Sequence, residues 1–341
     1  MFVGCRFDFI EQEIIVNFYD RILSNSTKKE VKKMPFVKRK FHVKKPIKAF
    51  LFIMHQFNFT QGQAQRLVAK GRILIEGESI YHTGATIEGE IEIVYFEPKS
   101  RGVKPIFVNK NFLIFDKPSG VLVHPNTMAT EYSMLDEVRT HSGQNANGTH
   151  RIDMETSGLF LASRHKDAER FLKGSFEKKS IKKQYLAWVT GKITEPFTVE
   201  ESICVRNDYS TKKHKVEICK EGKYAKTSFK PLEYDEDLDT TLIECKPLTG
   251  RLHQIRLHLF HVKHPILGDP IYGTSFEASD NYLDGTITEE ERFIQTGATR
   301  LLLHANALHF PYGNQYSIYS RVDFKEAKKE ICAKEERVFF K

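Results

Sequence analysis

Apolar residues in the first hundred positions follow a helical period and then a strand period, which together predict a compact module. Ala64, Leu67 and Val68 recur at helical spacing, and the neighbouring apolar runs are short. Two helices and then two strands are predicted, at residues 50–57, 64–71, 73–75 and 91–94. Residues 1–45 show no sustained period. We therefore expect a basic N-terminal extension over 1–45 and a module over 46–98.

Beyond residue 104, strand-like runs outnumber helical ones. The predicted strands are 112–115, 159–163, 185–190, 198–205, 227–232, 240–246, 302–310 and 316–324. Helices are predicted at 167–176 and 252–262. Strands that follow one another without an intervening helix favour hairpins. We therefore expect one α+β domain over 104–341, built on a mixed, mainly antiparallel central sheet.

Several protein classes lose their usual support in this sequence. No run of 18 apolar residues and no secretory leader is found, so we expect a cytoplasmic protein without a membrane span. Five scattered cysteines lack metal-site spacing and are interpreted as reduced thiols. Neither a glycine-rich dinucleotide motif nor a phosphate-binding loop occurs, so no nucleotide cofactor is expected. The histidines at 258, 261 and 264 have no converging acid, so no metal site is predicted.

The charge balance indicates a polyanionic partner. The formal net charge is +8 and the isoelectric point is about 9.0. Residues 28–48 are dense in lysine and contain a single acid, Glu30. Such a segment is either a solvated flexible arm or a specific contact, and both raise affinity for a polyanion by releasing counterions.

Asp153 is the first candidate for chemistry. It stands between the basic pair His150-Arg151 and the turn residue Gly158, just before an apolar run. A carboxylate beside positive charge, on a tight turn that enters a structured element, is kept ionised and fixed in direction.

The helix predicted at 252–262 places an arginine among apolar residues. At about 100° per residue, Arg256 falls within the arc of Leu252 and Ile255, whereas Arg251 points elsewhere. A buried arginine is costly unless a carboxylate or phosphate pairs with it. Asp153 is the first candidate partner and Asp269 the second. The alternative is that Arg256 reaches solvent along the helix edge.

A basic pair followed by an aromatic residue opens the run from Lys182 to Gly191. The ring of Tyr185 could stack on a base while Lys183 holds a phosphate. Tyrosines in strands also serve as ordinary packing residues, so this pattern alone leaves both interpretations open.

The N-terminal module resembles the alpha-L RNA-binding fold of a small-subunit ribosomal protein. The resemblance rests on 65-QRLV before Gly71, then 72-RILIEG, and 89-GEI leading into a strand. The usual opening of the motif is replaced by 46-PIK. The resemblance implies phosphate contacts from Arg66, Lys70 and Arg72.

The larger domain resembles the RluA-type pseudouridine synthases, a family that includes bacterial enzymes of the ribosomal large subunit. The resemblance covers residues 105–325 and depends on the order of its motifs, with Ile152 and Leu252 departing from the usual residues. The motifs are 117-KPSGVLVHP, 150-HRIDMETSGL, 183-KQYLA, 250-GRLHQIRLH, 264-HPILGD and 300-RLLLHA.

This resemblance implies a catalytic domain with a central cleft that isomerises uridine to pseudouridine in RNA without metal, nucleotide or organic cofactor. It implies that Asp153 is the catalytic carboxylate, Arg256 its ion-pair partner and Tyr185 the ring packed on the target base. Arg151 would fill the space left by the flipped nucleotide. Arg151, Lys183 and Arg251 are the RNA-binding candidates of this domain. The expected substrate is large-subunit ribosomal RNA, and the expected state is a monomer.

Two other interpretations stay open from the sequence. The chain could be an RNA-binding ribosome assembly factor whose catalytic core is idle. It could also be a glycoside or nucleoside hydrolase that uses Asp153 with Glu155 as paired carboxylates.

Overall fold

The computed structural model describes residues 35–206 and 216–337, which divide into two compact units. The small unit contains residues 35–99 and 128–132. The larger unit contains residues 100–127, 133–206 and 216–337. None of the helices in these ranges has the length and apolarity that a membrane crossing requires.

The small unit pairs a four-stranded antiparallel sheet with two helices. Its strands are β1 (Phe36–Lys48), β2 (Ile73–Ile75), β3 (Glu78–Ile80) and β4 (Thr86–Phe96), in the order β1-β4-β2-β3. Its helices are α1 (Ala49–Phe57) and α2 (Gln61–Ala69). Both predicted helices and both predicted strands are therefore confirmed. A capping box between Thr60 and Gln63 begins α2.

The predicted start of the module at residue 46 is wrong, because β1 begins at Phe36. The remainder of the predicted extension, residues 1–34, lies outside the described residues. The basic side chains of β1 pair with acids across the sheet, as Lys38 does with Glu92 at 3.0 Å. Only Val43 of the strand is fully buried, so the apolar alternation that marks most strands is faint here.

A ten-stranded sheet forms the centre of the larger unit, in the main order β10-β13-β14-β9-β15-β8-β6-β5, with β16 on β15 and β7 on β8. The pairing of β15 with β8 is parallel and the other described pairs are antiparallel, which confirms the predicted mixed, mainly antiparallel fold. The strands are β5 (Phe107–Val108), β6 (Phe112–Lys117), β7 (Asn147–Gly148), β8 (Ser157–Ser163), β9 (Lys182–Thr190), β10 (Phe197–Glu200), β13 (Lys226–Asp235), β14 (Thr240–Pro247), β15 (Leu303–Tyr312) and β16 (Asn314–Tyr319).

A separate two-stranded hairpin consists of β11 (Ile203–Val205) and β12 (Val216–Ile218). The strand predicted at 198–205 is therefore divided between β10 and β11. The hairpin brings Cys204 and Cys219 together, with their Cα atoms 5.8 Å apart, and they form a disulfide. The expectation that all cysteines are reduced is wrong for this pair, whereas Cys245 and Cys332 are free and buried.

Within the described residues, five α-helices accompany this sheet. They are α3 (Met134–Ser142), α4 (Lys166–Glu177), α5 (Gln254–His261), α6 (Phe276–Asp284) and α7 (Glu289–Thr296). The predicted helix at 167–176 is confirmed as α4. The helix predicted from Leu252 begins two residues later, because the backbone of His253 is left-handed with φ +52°.

Gly158 fixes the place where the Asp153 turn enters the sheet. It has φ +99°, and a Cβ atom there would collide with the backbone of Ala305 on β15. Only glycine allows both that backbone conformation and that close approach. The parallel contact between β8 and β15 therefore sets the position of the turn that precedes β8.

Candidate active site

A cleft of about 560 Å³ opens in the larger unit between the Asp153 turn and the segment that leads into α5. The Asp153 turn contributes one wall, β9 contributes Tyr185, and α5 contributes Arg256. Other residues that line the cleft are His150, Arg151, Ile152, Thr156, Phe176, Lys183, Leu248, Arg251 and His253. Three side chains expected to serve catalysis therefore share one cavity.

The buried side chain of Lys117 holds the Asp153 turn in place through hydrogen bonds to backbone carbonyls. Its Nζ donates to the carbonyl oxygens of Pro118, Val121 and Met154 at 2.8, 2.7 and 2.8 Å. Burial lowers the pKa of Lys117 to about 7, against the opposing charges of Glu155 and Asp153. The lysine thus ties the residue after Asp153 to the end of β6.

Arg256 is almost completely buried, and its closest partner is Asp269. The guanidinium Nε and Nη2 donate to the two carboxylate oxygens of Asp269, each at 2.7 Å. Its Nη1 lies 3.5 Å from Asp153 Oδ2, at the limit of a hydrogen bond. The predicted order of the partners is therefore wrong, since Asp269 forms the two-point pair and Asp153 the weaker third contact.

Arg256 and Asp269 each stabilise the charged form of the other. Burial by itself would raise the pKa of Asp269, but the charge and hydrogen bonds of Arg256, with the backbone N–H groups of Tyr272 and Ile271, hold that pKa below its ordinary value. Burial likewise opposes the charge of Arg256, yet Asp269 and then Asp153 raise its pKa well above the usual range. Both groups therefore stay charged inside the protein.

Two aromatic residues surround this charge network. The ring of Tyr272 lies 5.2 Å from the Arg256 guanidinium carbon, and its hydroxyl is 3.1 Å from Nδ1 of His253. Tyr185 is only 9 % exposed, and burial, followed by the charges of Asp153 and Cys245, raises its pKa. Tyr185 is therefore a neutral phenol, suited to packing against a planar group and unsuited to act as a base.

Asp153 differs from its charged neighbours because its carboxylate remains accessible. Its side chain is 24 % exposed, whereas that of Asp269 is fully buried. An accessible carboxylate, oriented by a buried cation and facing a cavity, can act as a nucleophile or as a base.

The predicted RNA-binding residues are divided between the two units. Arg151 and Arg251 are exposed at the cleft, and Arg251 Nε donates to the Tyr224 carbonyl at 3.0 Å. Lys183 also lines the cleft, with its Nζ 3.4 Å from the Thr249 carbonyl. The other three candidates, Arg66, Lys70 and Arg72, belong to the small unit. Arg251 and Arg256 do point to different surroundings, as predicted.

Sequence reasoning assigned no role to Lys117 or to Tyr272. Lys117 closes β6, a strand whose other residues are almost all buried, and a lysine in such a position is a signal of an internal ammonium group. Tyr272 follows Asp269 by three residues in a turn, and no periodic pattern marks it.

Comparisons with known proteins identify the family to which the chain belongs. Residues 111–261 match the family model described as RNA pseudouridylate synthase. The chain is 35 % identical over 289 residues to an uncharacterized RNA pseudouridine synthase of Helicobacter pylori strain J99, covering 84 % of this chain and 96 % of that protein.

Two further relatives have more specific names. The dual-specificity RNA pseudouridine synthase RluA of Escherichia coli O6:H1 is 33 % identical, over 67 % of this chain and 98 % of its own length. The ribosomal large subunit pseudouridine synthase C of Pasteurella multocida is 32 % identical, over 61 % of this chain and 60 % of its own length. The chain belongs to the RluA-type RNA pseudouridine synthases, and it isomerises uridine to pseudouridine in RNA.

Proposed function

We propose that Asp153 is the catalytic carboxylate and that the cleft binds a uridine flipped out of large-subunit ribosomal RNA. The observation that carries this proposal is the carboxylate itself, accessible in the cleft and 3.5 Å from a buried guanidinium. The reaction needs a carboxylate that the substrate can reach and whose direction is fixed by a neighbouring charge.

The reaction exchanges one bond of the base for another. The bond from N1 of uracil to the sugar C1′ breaks, a bond from C5 to C1′ forms, N1 gains a proton and C5 loses one. The base must therefore be detached, held, turned and rejoined. A single carboxylate supports this by attacking the sugar or the base, or by removing a sugar proton, and the residues present are compatible with each route.

Arg256 and Tyr185 have supporting roles in this proposal. Arg256 orients Asp153 toward the cleft, since its own position is fixed by Asp269. Tyr185 offers a neutral ring on which the detached base packs. The ring prevents the base from leaving the cleft while it turns.

Arg151 is proposed to stabilise the RNA after the nucleotide has flipped. Taking a base out of its stack costs a few kcal/mol, and least in a loop or bulge. Arg151 is exposed at the cleft, two residues before Asp153, and its guanidinium is able to occupy the space the base leaves. Lys183 and Arg251 are proposed to contact the neighbouring phosphates.

The small unit is proposed to add affinity for RNA. Burial, followed by the charges of Arg72 and Arg66, lowers the pKa of Lys70, and Lys70, the residue that caps the end of α2, lies one helical turn after Arg66, to whose carbonyl its N–H donates at 3.1 Å. Within residues 35–206 and 216–337, none of the three has an acidic partner in an ion pair. Mutually repelling cations of this kind are neutralised by a phosphate.

Ribosomal RNA is proposed as the substrate because the relative from Pasteurella multocida is named for the ribosomal large subunit. The basic charge of the chain fits such a polyanion. We further propose that the protein acts as a monomer in the cytoplasm, where ribosomes are assembled.

Asp153→Asn tests the proposed role of the carboxylate. The variant should form no pseudouridine while its affinity for the substrate RNA stays within about twofold, because the two side chains have nearly the same shape. Pseudouridines are mapped by chemical adducts that stop reverse transcription, in ribosomal RNA from cells with the protein, without it, and with the variant.

The mapping has three decisive outcomes. Sites that disappear without the protein and are not restored by Asp153→Asn support the proposal. Turnover by the variant would refute the role of Asp153. Defective ribosome assembly with every pseudouridine retained would favour the idle assembly factor.

A further inference from the structure

Helices α6 and α7 hold the turn that carries Asp153 through the side chain of Glu155. Tyr282 of α6 donates its hydroxyl to Glu155 Oε1 at 2.6 Å, and Arg292 of α7 donates Nη2 to Glu155 Oε2 at 2.8 Å. The guanidinium carbon of Arg292 also lies 5.2 Å from the centre of the Tyr282 ring. Both carboxylate oxygens of Glu155 are therefore bound, two residues after Asp153.

Helix α7 also holds the segment that carries Asp269. Arg292 Nη2 is 3.4 Å from the carbonyl oxygen of Gly268, and the Gly268 N–H donates to the carbonyl of Thr296 at 2.8 Å. Gly268 has φ +75°, and a Cβ there would collide with the Arg300 backbone, so its position is closely fixed. Arg292 consequently touches the neighbour of Asp269 as well as the acid next to the Asp153 turn.

The distance between Asp153 and Arg256 depends on these two segments. The position of Arg256 depends on that of Asp269, to which it is bound by two short hydrogen bonds. The position of Asp153 depends on its own turn. The 3.5 Å contact between them is long, so a small separation of the two segments would break it. Arg292 is a second side chain, besides Arg256, that contacts both segments.

We propose that Arg292, together with Tyr282 and Glu155, is a positioning residue that sets the direction of the Asp153 carboxylate. This inference rests on the proposed catalytic role of Asp153. Glu155, Arg292 and Tyr282 are absent from the cleft lining, so they act through the turn and not on the RNA. The side chains of Glu155 and Arg292 are only 11 % and 17 % exposed, so removing one of them also lowers stability, and the test has to separate that loss from a loss of positioning.

This arrangement also excludes the hydrolase interpretation that pairs Asp153 with Glu155. A second catalytic carboxylate must face the substrate, but both oxygens of Glu155 are bound by α6 and α7 outside the cleft. Glu155 is therefore assigned to orientation of its neighbour.

The test measures the single-turnover rate of the full chain on its substrate RNA at saturating enzyme. Arg292→Gln should lower this rate about 10- to 100-fold, because sub-ångström to ångström misplacement of a reacting group has effects of that size. The Kd for RNA should stay within about twofold. Arg292→Lys should recover part of the rate, since an ammonium group can pair with Glu155 but cannot also reach Gly268.

Two comparisons separate positioning from a general loss of stability. Glu155→Gln combined with Arg292→Gln should be no slower than Arg292→Gln alone, because both changes break the same link. Lys328→Ala is the control for the loss of an ion pair away from the cleft, and the melting temperature of each variant is measured beside its rate. This control breaks a partly buried ion pair, Lys328 with Asp235 at 3.2 Å, and should leave the rate unchanged.

The outcomes distinguish this inference from the proposed function. If Asp153→Asn is inactive while Arg292→Gln and Glu155→Gln keep the wild-type rate, the positioning role is refuted and the catalytic role stands. If Asp153→Asn is active, the catalytic role itself fails. If Arg292→Gln does not fold, Arg292→Lys and Glu155→Gln decide, and wild-type rates in both would overturn the inference.

Discussion

Replacing Arg256 by alanine should destabilise the larger unit and abolish most of its activity. The change leaves Asp269, whose side chain is fully buried, without its two charged hydrogen bonds. Removing one partner of a buried ion pair costs about 3–5 kcal/mol, which corresponds to a fall in melting temperature of about 6–20 °C. Activity should fall because Asp153 loses the same cation.

The pH dependence of this penalty follows from Asp269. In the wild type its pKa is below the unfolded value of 3.8, so the stabilisation is present above pH 3.8 and is lost as the pH falls through the folded pKa. Without Arg256, burial raises the pKa of Asp269, and protonation then relieves the unpaired charge. The difference between wild type and variant should therefore shrink as the pH falls from 7.5 to 4.5.

Thermal and urea unfolding at several pH values measure this difference, with Arg251→Ala as the control, since Arg251 is exposed in the same motif. The double variant Arg256→Ala/Asp269→Asn should be more stable than Arg256→Ala alone. Asparagine removes the buried charge, yet its Oδ1 still accepts from the N–H groups of Ile271 and Tyr272. A pH-independent penalty, or no recovery in the double variant, would refute the argument.

Two further predictions concern other cations. The ammonium form of Lys117 supplies three donors for three carbonyl oxygens, whereas the neutral amine supplies only two and holds the Asp153 turn less firmly. Because the pKa of Lys117 is about 7, the single-turnover rate should fall as the pH rises from about 6 to 8.5. Lys117→Met should be slow at every pH, and a wild-type rate that is flat over this range would contradict the prediction. Changing Arg66, Lys70 and Arg72 together to glutamine should make RNA binding less dependent on salt. The slope of the logarithm of the association constant against the logarithm of the salt concentration should become smaller in magnitude by about 2–3. Lys38→Gln, which removes a cation already paired with Glu92, should change the slope much less, and equal effects would count against the proposed phosphate site.

Helical periodicity predicts correctly that Arg256 lies inside the protein, although Leu252, from which the helical angles are measured, lies outside α5 and is 37 % exposed. Arg256 is buried because every residue from Gln254 to Leu259 is buried, and not because it shares an apolar arc. The choice between two acids depends on how the chain returns after α5, which no local pattern encodes.

The strands of the large sheet were easier to predict than β1. Every residue of β8 is buried, so its apolar run stands out, whereas the lysines of β1 are satisfied by acids that lie about 50 residues further along the chain. The link from Arg292 to Glu155 spans 137 residues and was likewise invisible in the sequence. The motifs identified the chemistry, and long-range contacts determined its geometry.

The position of β1 at one edge of the small sheet has a practical consequence for protein fragments. A fragment that starts at residue 46 would remove most of β1, the strand that pairs with one side of β4. Residues 89–96 of β4, which include Ile91, Ile93 and Tyr95 of the core, would then have unpaired backbone groups on the side that faced β1. Long, apolar edge strands of this kind template aggregation. Truncations intended to isolate the RNA-modifying unit should therefore remove the small sheet whole or leave β1 intact.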